Sequence, residues 1–204
     1  VVHNQKLQSV KSVWINFVVC QSTCNLSMDC DILDLSLSNG DFKDSLEKIS
    51  AGSYDIIGLS VDVDKQSEYF NIFLDIRSRL EKSGKKSMIV AGGQGGTHSY
   101  KSFIQKGKVD AVLLGFAEKC FYDLCLSFSK NKEKHVSVYA KNISGVAFPA
   151  NTDHTEIVKN PISNLMTREE LWAQPLDFSF FDSRHFKYVF DGTLYQRASL
   201  ELSR

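Results

Sequence analysis

The sequence predicts an α/β protein built on a doubly wound, Rossmann-like parallel sheet, and three observations carry that prediction. Between about residues 31 and 129, short apolar runs alternate with segments of helical period, which is the pattern of βαβ units. Residues 55–61 form an apolar run without alternation, as a strand covered on both faces must. Glycines stand where successive strands are expected to end, at Gly58, at residues 92–96 and at Gly115.

Taken in order, residues 32–35 read as a short strand. Residues 41–50 read as a helix with Phe42, Leu46 and Ile49 on one face and Gly52 just beyond its end. Residues 55–61 follow as a central strand. Residues 65–83 place Phe70, Phe73, Leu74, Ile76 and Leu80 at helical spacing, and Gly84 supplies the stop. The next strand, 87–91, runs into Gly92-Gly93-Gln94-Gly95-Gly96, after which Thr97 is the expected N-cap of a helix reaching about Lys106. Residues 109–114 form another strand, Gly115 the turn, and 118–128 a helix that carries Phe121, Leu124, Cys125 and Phe128 inward.

Beyond residue 135 the alternation stops. Residues 145–148 and 155–158 flank a polar connection and predict a small hairpin. Pro161, Pro175 and the aromatic-rich stretch 178–190 show no clear period and predict a linker. The first thirty residues hold one apolar, helix-like segment, 10–19, with no strand before it, so the sheet is expected to lack its first strand. The expected organisation is an α/β domain over residues 1–130, then hairpin and linker over 131–204.

Composition narrows the function. The 204 residues are 43% hydrophobic and 24% charged, which excludes a wholly disordered chain. A formal charge of +0 leaves no global footprint for nucleic acid or an anionic membrane surface. No apolar run approaches the roughly 20 residues of a membrane helix, so no span is expected. The start at Val1-Val2-His3 shows neither an initiator Met nor the order of a signal peptide, which predicts a piece of a longer, cytoplasmic protein. Five cysteines, an odd number, predict reduced thiols.

The chemistry-bearing positions lie at the expected strand ends, which line the ligand crevice of an open α/β sheet. A glycine there adopts positive φ and lets a ligand approach backbone amides, and the opening helix adds free N–H groups. Known nucleotide motifs do not fit: a dinucleotide fingerprint begun at Gly93 meets His98 where its third glycine belongs, and no Gly-Lys-Ser/Thr follows Gly96. Cys20-x3-Cys24 opens like a cluster motif but reaches Ser27 at its third position. Cys120 and Cys125 do not share a helix face, the five histidines form no i, i+4 pair, and Asp62 with Asp64 lacks the partners of a receiver site. No metal site and no catalytic residue is expected in the chain itself.

Residues 55–62, the Gly92-Gly93 pair, residues 109–118 and residues 143–148 together resemble the cobalamin-binding domain of cobalamin-dependent radical S-adenosylmethionine enzymes, and residues 198–204 resemble the strand entering their radical barrel. The resemblance implies a flavodoxin-like domain that binds cobalamin, with a [4Fe–4S] cluster and S-adenosylmethionine held by a barrel domain beyond residue 204 as its partner. Carried over by position, it places Ser60 by the cobalamin nucleotide tail, lets that tail run close to the backbone at Gly92 and Gly93, and matches Gly115 and Glu118 to a Gly-Glu-x-Glu turn from which Phe116 and Ala117 depart. The expected cofactor-binding residues are Ser60, Val61, Asp62, Gly92, Gly93, Gln94, Gly95, Gly96, Thr97, Gly115, Phe116 and Glu118. No histidine is expected to ligate cobalt. The chain then reads as a binding module for methyl transfer or related radical chemistry, and the alternative is a cofactor-free regulatory or interaction domain of the same fold. Gly93→Val is expected to separate the two by blocking binding while sparing the fold.

Overall fold

Strand pairing begins earlier in the chain than the sequence pattern suggests. In a computed structural model, which describes residues 11–15, 29–33, 42–131, 134–163, 167, 169, 187–190 and 193–196, residues Lys11–Ile15 form a strand, β1. It runs parallel to β2 (Asp29–Leu33) on one side and to β3 (Ile56–Ser60) on the other. With β4 (Met88–Gly92) and β5 (Ala111–Leu113) the order is β2-β1-β3-β4-β5, all parallel, which is the flavodoxin-like winding. The expectation of a missing first strand is therefore corrected. Val13, Trp14 and Ile15 have the β-branched and aromatic character of a strand, and pairing along both edges settles a segment too short for its period to decide.

The expected hairpin is β6 (Val146–Pro149) and β7 (Ile157–Lys159), and β6 pairs antiparallel with β5, so both strands extend the same sheet. The helices are α1 (Phe42–Ala51), α2 (Gln66–Lys82), α3 (Gly93–Gln105), α4 (Glu118–Ser129) and α5 (Val136–Ala140), with a 3-10 turn at Val63–Lys65. The short α5 falls just past the polar residues 130–134, and the His135 side chain caps it by accepting from Ser137 N. Part of the expected linker is instead an antiparallel pair, β8 (Lys187–Phe190) and β9 (Thr193–Gln196). Its register leaves Asp191-Gly192 between the strands, a hairpin signal that the aromatic content of the segment obscures. Residues 198–204, Cys20, Cys24 and the aromatic stretch 178–186 lie outside the described residues.

Strand alternation divides the core in two. Ile56, Met88, Val90, Ala111 and Leu113 face α4 and α5, packing on Phe121, Leu124, Cys125, Phe128 and Tyr139. Ile57, Leu59, Ile89, Ala91 and Val112 face the other way, onto Leu46 and Ile49 of α1, Phe73, Ile76 and Leu80 of α2, and Phe103 and Ile104 of α3. On α2 the buried stripe is Tyr69, Phe73, Ile76 and Leu80, spaced i, i+4, i+7, i+11, whereas Leu74 is 43% exposed because it stands one position off that stripe.

The amino ends of β4 and β5 are locked by Asp110, whose Oδ2 accepts from Ile89 N and from Arg77 Nη2, each at 2.7 Å. Lys85 Nζ donates to the carbonyls of Ser50, Ala51 and Gly52, capping the C-terminus of α1. The carboxyl ends are left to the glycine turns.

Candidate functional site

At the carboxyl edge, Ser60 of β3 pairs with Gly92 of β4. Beyond them Val61 N donates to Gly92 O at 2.9 Å, and Val61 O accepts from Gly95 N at 2.9 Å. The glycine run is thus not a free loop. Helix α3 starts at Gly93, with Gly92 as its extended N-cap residue, so the expected N-cap role of Thr97 is corrected. The reason is steric: Gly93 lies at φ +79°, and this left-handed residue turns the chain into the helix four residues early.

The missing side chains have two different causes. A Cβ on Gly93 would stand 2.9 Å from both Ser60 Oγ and Val61 O, and one on Gly95 only 2.6 Å from Asp62 O. Those two glycines let α3 press onto the segment after β3. A Cβ on Gly92 would meet nothing nearer than Leu113 at 3.9 Å, so no neighbour requires a glycine there. By alternation Gly92 shares a sheet face with Ser60 and Gly58, and the register pairs Ser60 with Gly92. Gly58, which was not among the expected site residues, was legible from its two-residue spacing to Ser60.

The Ser60 side chain is buried, with the residue 8% exposed, and among the described residues its hydroxyl has no hydrogen-bond partner. A buried hydroxyl ordinarily has one. Its Oγ points at the first turn of α3, where Gly93 leaves room for it.

The remaining positions separate. The Val61 side chain belongs to the core on the α1–α3 side, while Asp62 and Gln94 are exposed. Gly96 is buried, with ordinary contact to Val112. Thr97 Oγ1 donates to Gly93 O at 3.0 Å and accepts from Gly115 N at 2.9 Å, which joins the first turn of α3 to the turn after β5. Gly115 is left-handed at φ +67° and leads into Phe116, which is 52% exposed. Glu118 opens α4, a position where a carboxylate favours the helix dipole.

One contributor could not be read from the sequence. Leu114 N donates to Gly145 O and Gly145 N to Pro161 O, so the chain leaving β7 returns across the carboxyl edge. Ile162 Cδ1 then lies 3.6 Å from where a Cβ on Gly115 would sit. That approach depends on the hairpin joining β5.

Among the described residues no group of three or more His, Cys, Asp or Glu could hold a metal ion, and no helix is long and apolar enough to cross a membrane. Cys120 on α4 is buried, and burial, reinforced by Glu118 and Asp123, pushes its thiol up to about 12. It is an inert core thiol rather than a nucleophile.

No protein-family model and no curated protein matches the sequence. Solved structures do match the fold. The radical S-adenosylmethionine methyltransferase TsrM from Kitasatospora setae, with tryptophan substrate and an S-adenosylmethionine analogue bound, superposes with a TM-score of 0.62 at 17% identity, covering 76% of this chain and 31% of that one. A second TsrM structure, with cobalamin and a [4Fe–4S] cluster bound, gives 0.61 at 18% identity, covering 80% and 30%. The cobalamin-dependent S-adenosylmethionine radical enzyme OxsB gives 0.63 at 16% identity, covering 80% and 24%. The chain therefore shares its fold with a part of these enzymes and spans less than a third of their length.

Proposed function

We propose that this chain is a cobalamin-binding module, holding the cofactor at the carboxyl edge of the sheet where Ser60 and Gly92 lie side by side. The observation that carries the reading is the Ser60 hydroxyl, buried and without a partner among the described residues, beside a glycine that packing does not demand. These residues suit the nucleotide tail of cobalamin, an elongated group with hydrogen-bonding atoms. Ser60 supplies a side-chain hydrogen bond, and Gly92 lets the tail lie close to the backbone. The turns at Gly93–Thr97 and Gly115–Glu118 bound the site on either side. The likeness in fold to TsrM and OxsB supports the same reading.

When bound, cobalamin supplies the reactive cobalt centre, and the chain supplies its placement. The proposal extends to presenting it to a radical barrel carrying a [4Fe–4S] cluster and S-adenosylmethionine, for methyl transfer or related radical chemistry. A gene that continues past codon 204 without a Cys-x3-Cys-x2-Cys motif would remove that extension and leave the binding module.

One observation favours the second reading, a cofactor-free domain: Gly93 and Gly95 are already explained by packing. Titration of the purified chain with hydroxocobalamin, followed by absorbance and co-elution on a sizing column, decides between them. Stoichiometric co-elution that Ser60→Ala weakens is expected. Absence of binding by a folded chain would overturn the cofactor reading in favour of the second.

A further inference from the structure

Three contacts converge on the first two turns of α3. Gly95 N reaches back to Val61 O, Ser99 Oγ donates to Gln66 Oε1 at 2.7 Å at the start of α2, and Thr97 Oγ1 takes the Gly115 amide. Thr97 differs from the other two because it ties α3 to the opposite wall of the proposed site. Its proton goes to Gly93 O and one acceptor position to Gly115 N, so the hydroxyl is committed on both sides to glycines of left-handed φ. A threonine that donates back to the fourth carbonyl before it also bends a helix. Two residues later, Ser99 departs from helical geometry at φ −116°, ψ 26°.

We propose that Thr97 is a positioning residue, clamping the turn at Gly93 to the turn at Gly115 and so setting the separation of the two walls between which the cofactor binds. It governs affinity without serving as a cofactor contact. The clamp rests on the cobalamin reading above. Because Gly115 precedes the exposed Phe116 and lies against Ile162, releasing its amide frees the apolar rim of that wall as well.

The test compares wild type, Thr97→Val and Thr97→Ser in the 204-residue chain, at a temperature where all are folded. Hydroxocobalamin affinity and hydrogen exchange at the Gly115 amide are both measured. Valine keeps the shape and loses the hydroxyl, while serine keeps the hydroxyl. Thr97→Val is expected to raise the Kd about tenfold, the usual scale for one hydrogen bond, and to speed exchange at Gly115. Thr97→Ser is expected to restore both, which a general packing role would not do. A Thr97→Val chain that binds as tightly as wild type, or keeps Gly115 equally protected, overturns the clamp and leaves the cobalamin reading standing. A folded wild-type chain that does not bind overturns the cobalamin reading and the clamp's purpose with it. Should Thr97→Val not fold, Thr97→Ala removes the same hydroxyl with less bulk and is judged by the same outcomes.

Discussion

The Ser60 hydroxyl stands 2.9 Å from the point a Cβ on Gly93 would occupy, and the two residues answer to different demands. Gly93 serves the fold, since it combines φ +79° with contact against Ser60 and Val61. Ser60 places a hydroxyl in the interior that has no hydrogen-bond partner among the described residues.

Gly93→Val cannot spare the fold as the sequence reading expects. Left-handed strain and the clash together predict a loss of about 2–4 kcal/mol in urea unfolding. Gly92→Ala, in extended backbone with ordinary contact distances, is expected to hold within about 1 kcal/mol of wild type while weakening cobalamin. A wild-type unfolding midpoint for Gly93→Val would show this account of the turn to be wrong.

Ser60→Ala should separate stability from binding in the opposite direction. Removing a buried hydroxyl that has no partner among the described residues is expected to leave stability unchanged or raise it by up to about 1 kcal/mol, while hydroxocobalamin binds several-fold more weakly. Thermal unfolding with and without ligand measures both. A clear loss of stability in the free chain would mean that the hydroxyl serves the fold.

Asn160→Leu tests how the chain is returned to the site. The Asn160 amide is buried and donates to Ala140 O at 2.8 Å and Ile143 O at 2.7 Å, satisfying carbonyls at and beyond the end of α5. Ala140 O keeps its bond from Ile143 N at 3.0 Å, so the loss of a donor to Ile143 O is expected to lower stability by about 1–2 kcal/mol in chemical denaturation. A change below about 0.5 kcal/mol would show that water replaces the amide without penalty.

Alkaline pH should destabilise the protein through Cys120 first. Its thiol titrates near the ordinary 9.0 in the unfolded chain and near 12 when folded, so between those values the folded state retains the proton that the unfolded state loses. The stabilisation is full below pH 9.0 and falls by about 1.4 kcal/mol per pH unit as pH rises toward 12. Tyr139, raised by burial and then by Asp110, adds a loss of the same sign above its ordinary value of 10.0. Urea midpoints across this range should decline from about pH 9 in wild type and less steeply in Cys120→Ala. Parallel curves would exclude the thiol as the cause.

The central units were legible because burial there follows period. Residues 55–61 lack alternation since β3 is covered on both faces, and Phe121, Leu124, Cys125 and Phe128 turn inward together on α4. Where runs were short, pattern failed: five residues serve β1 equally as strand or helix turn until β2 and β3 pair with them. The start of α3 was missed because four glycines in residues 92–96 read as a loop, whereas Gly93 and Gly95 are the means by which the helix packs against Val61 and Asp62.

By itself the sequence determined the alternating α/β units, the glycine turns at the strand ends and the residue types gathered there, since these follow from local period and from what a backbone without Cβ can do. Only the tertiary structure decided that Gly93 and Gly95 serve packing while Gly92 does not, that Ser60 is left without a partner among the described residues, and that Thr97 reaches Gly115. Each of those outcomes depends on which strands lie side by side, and partners brought together by the sheet leave no periodic trace in the chain.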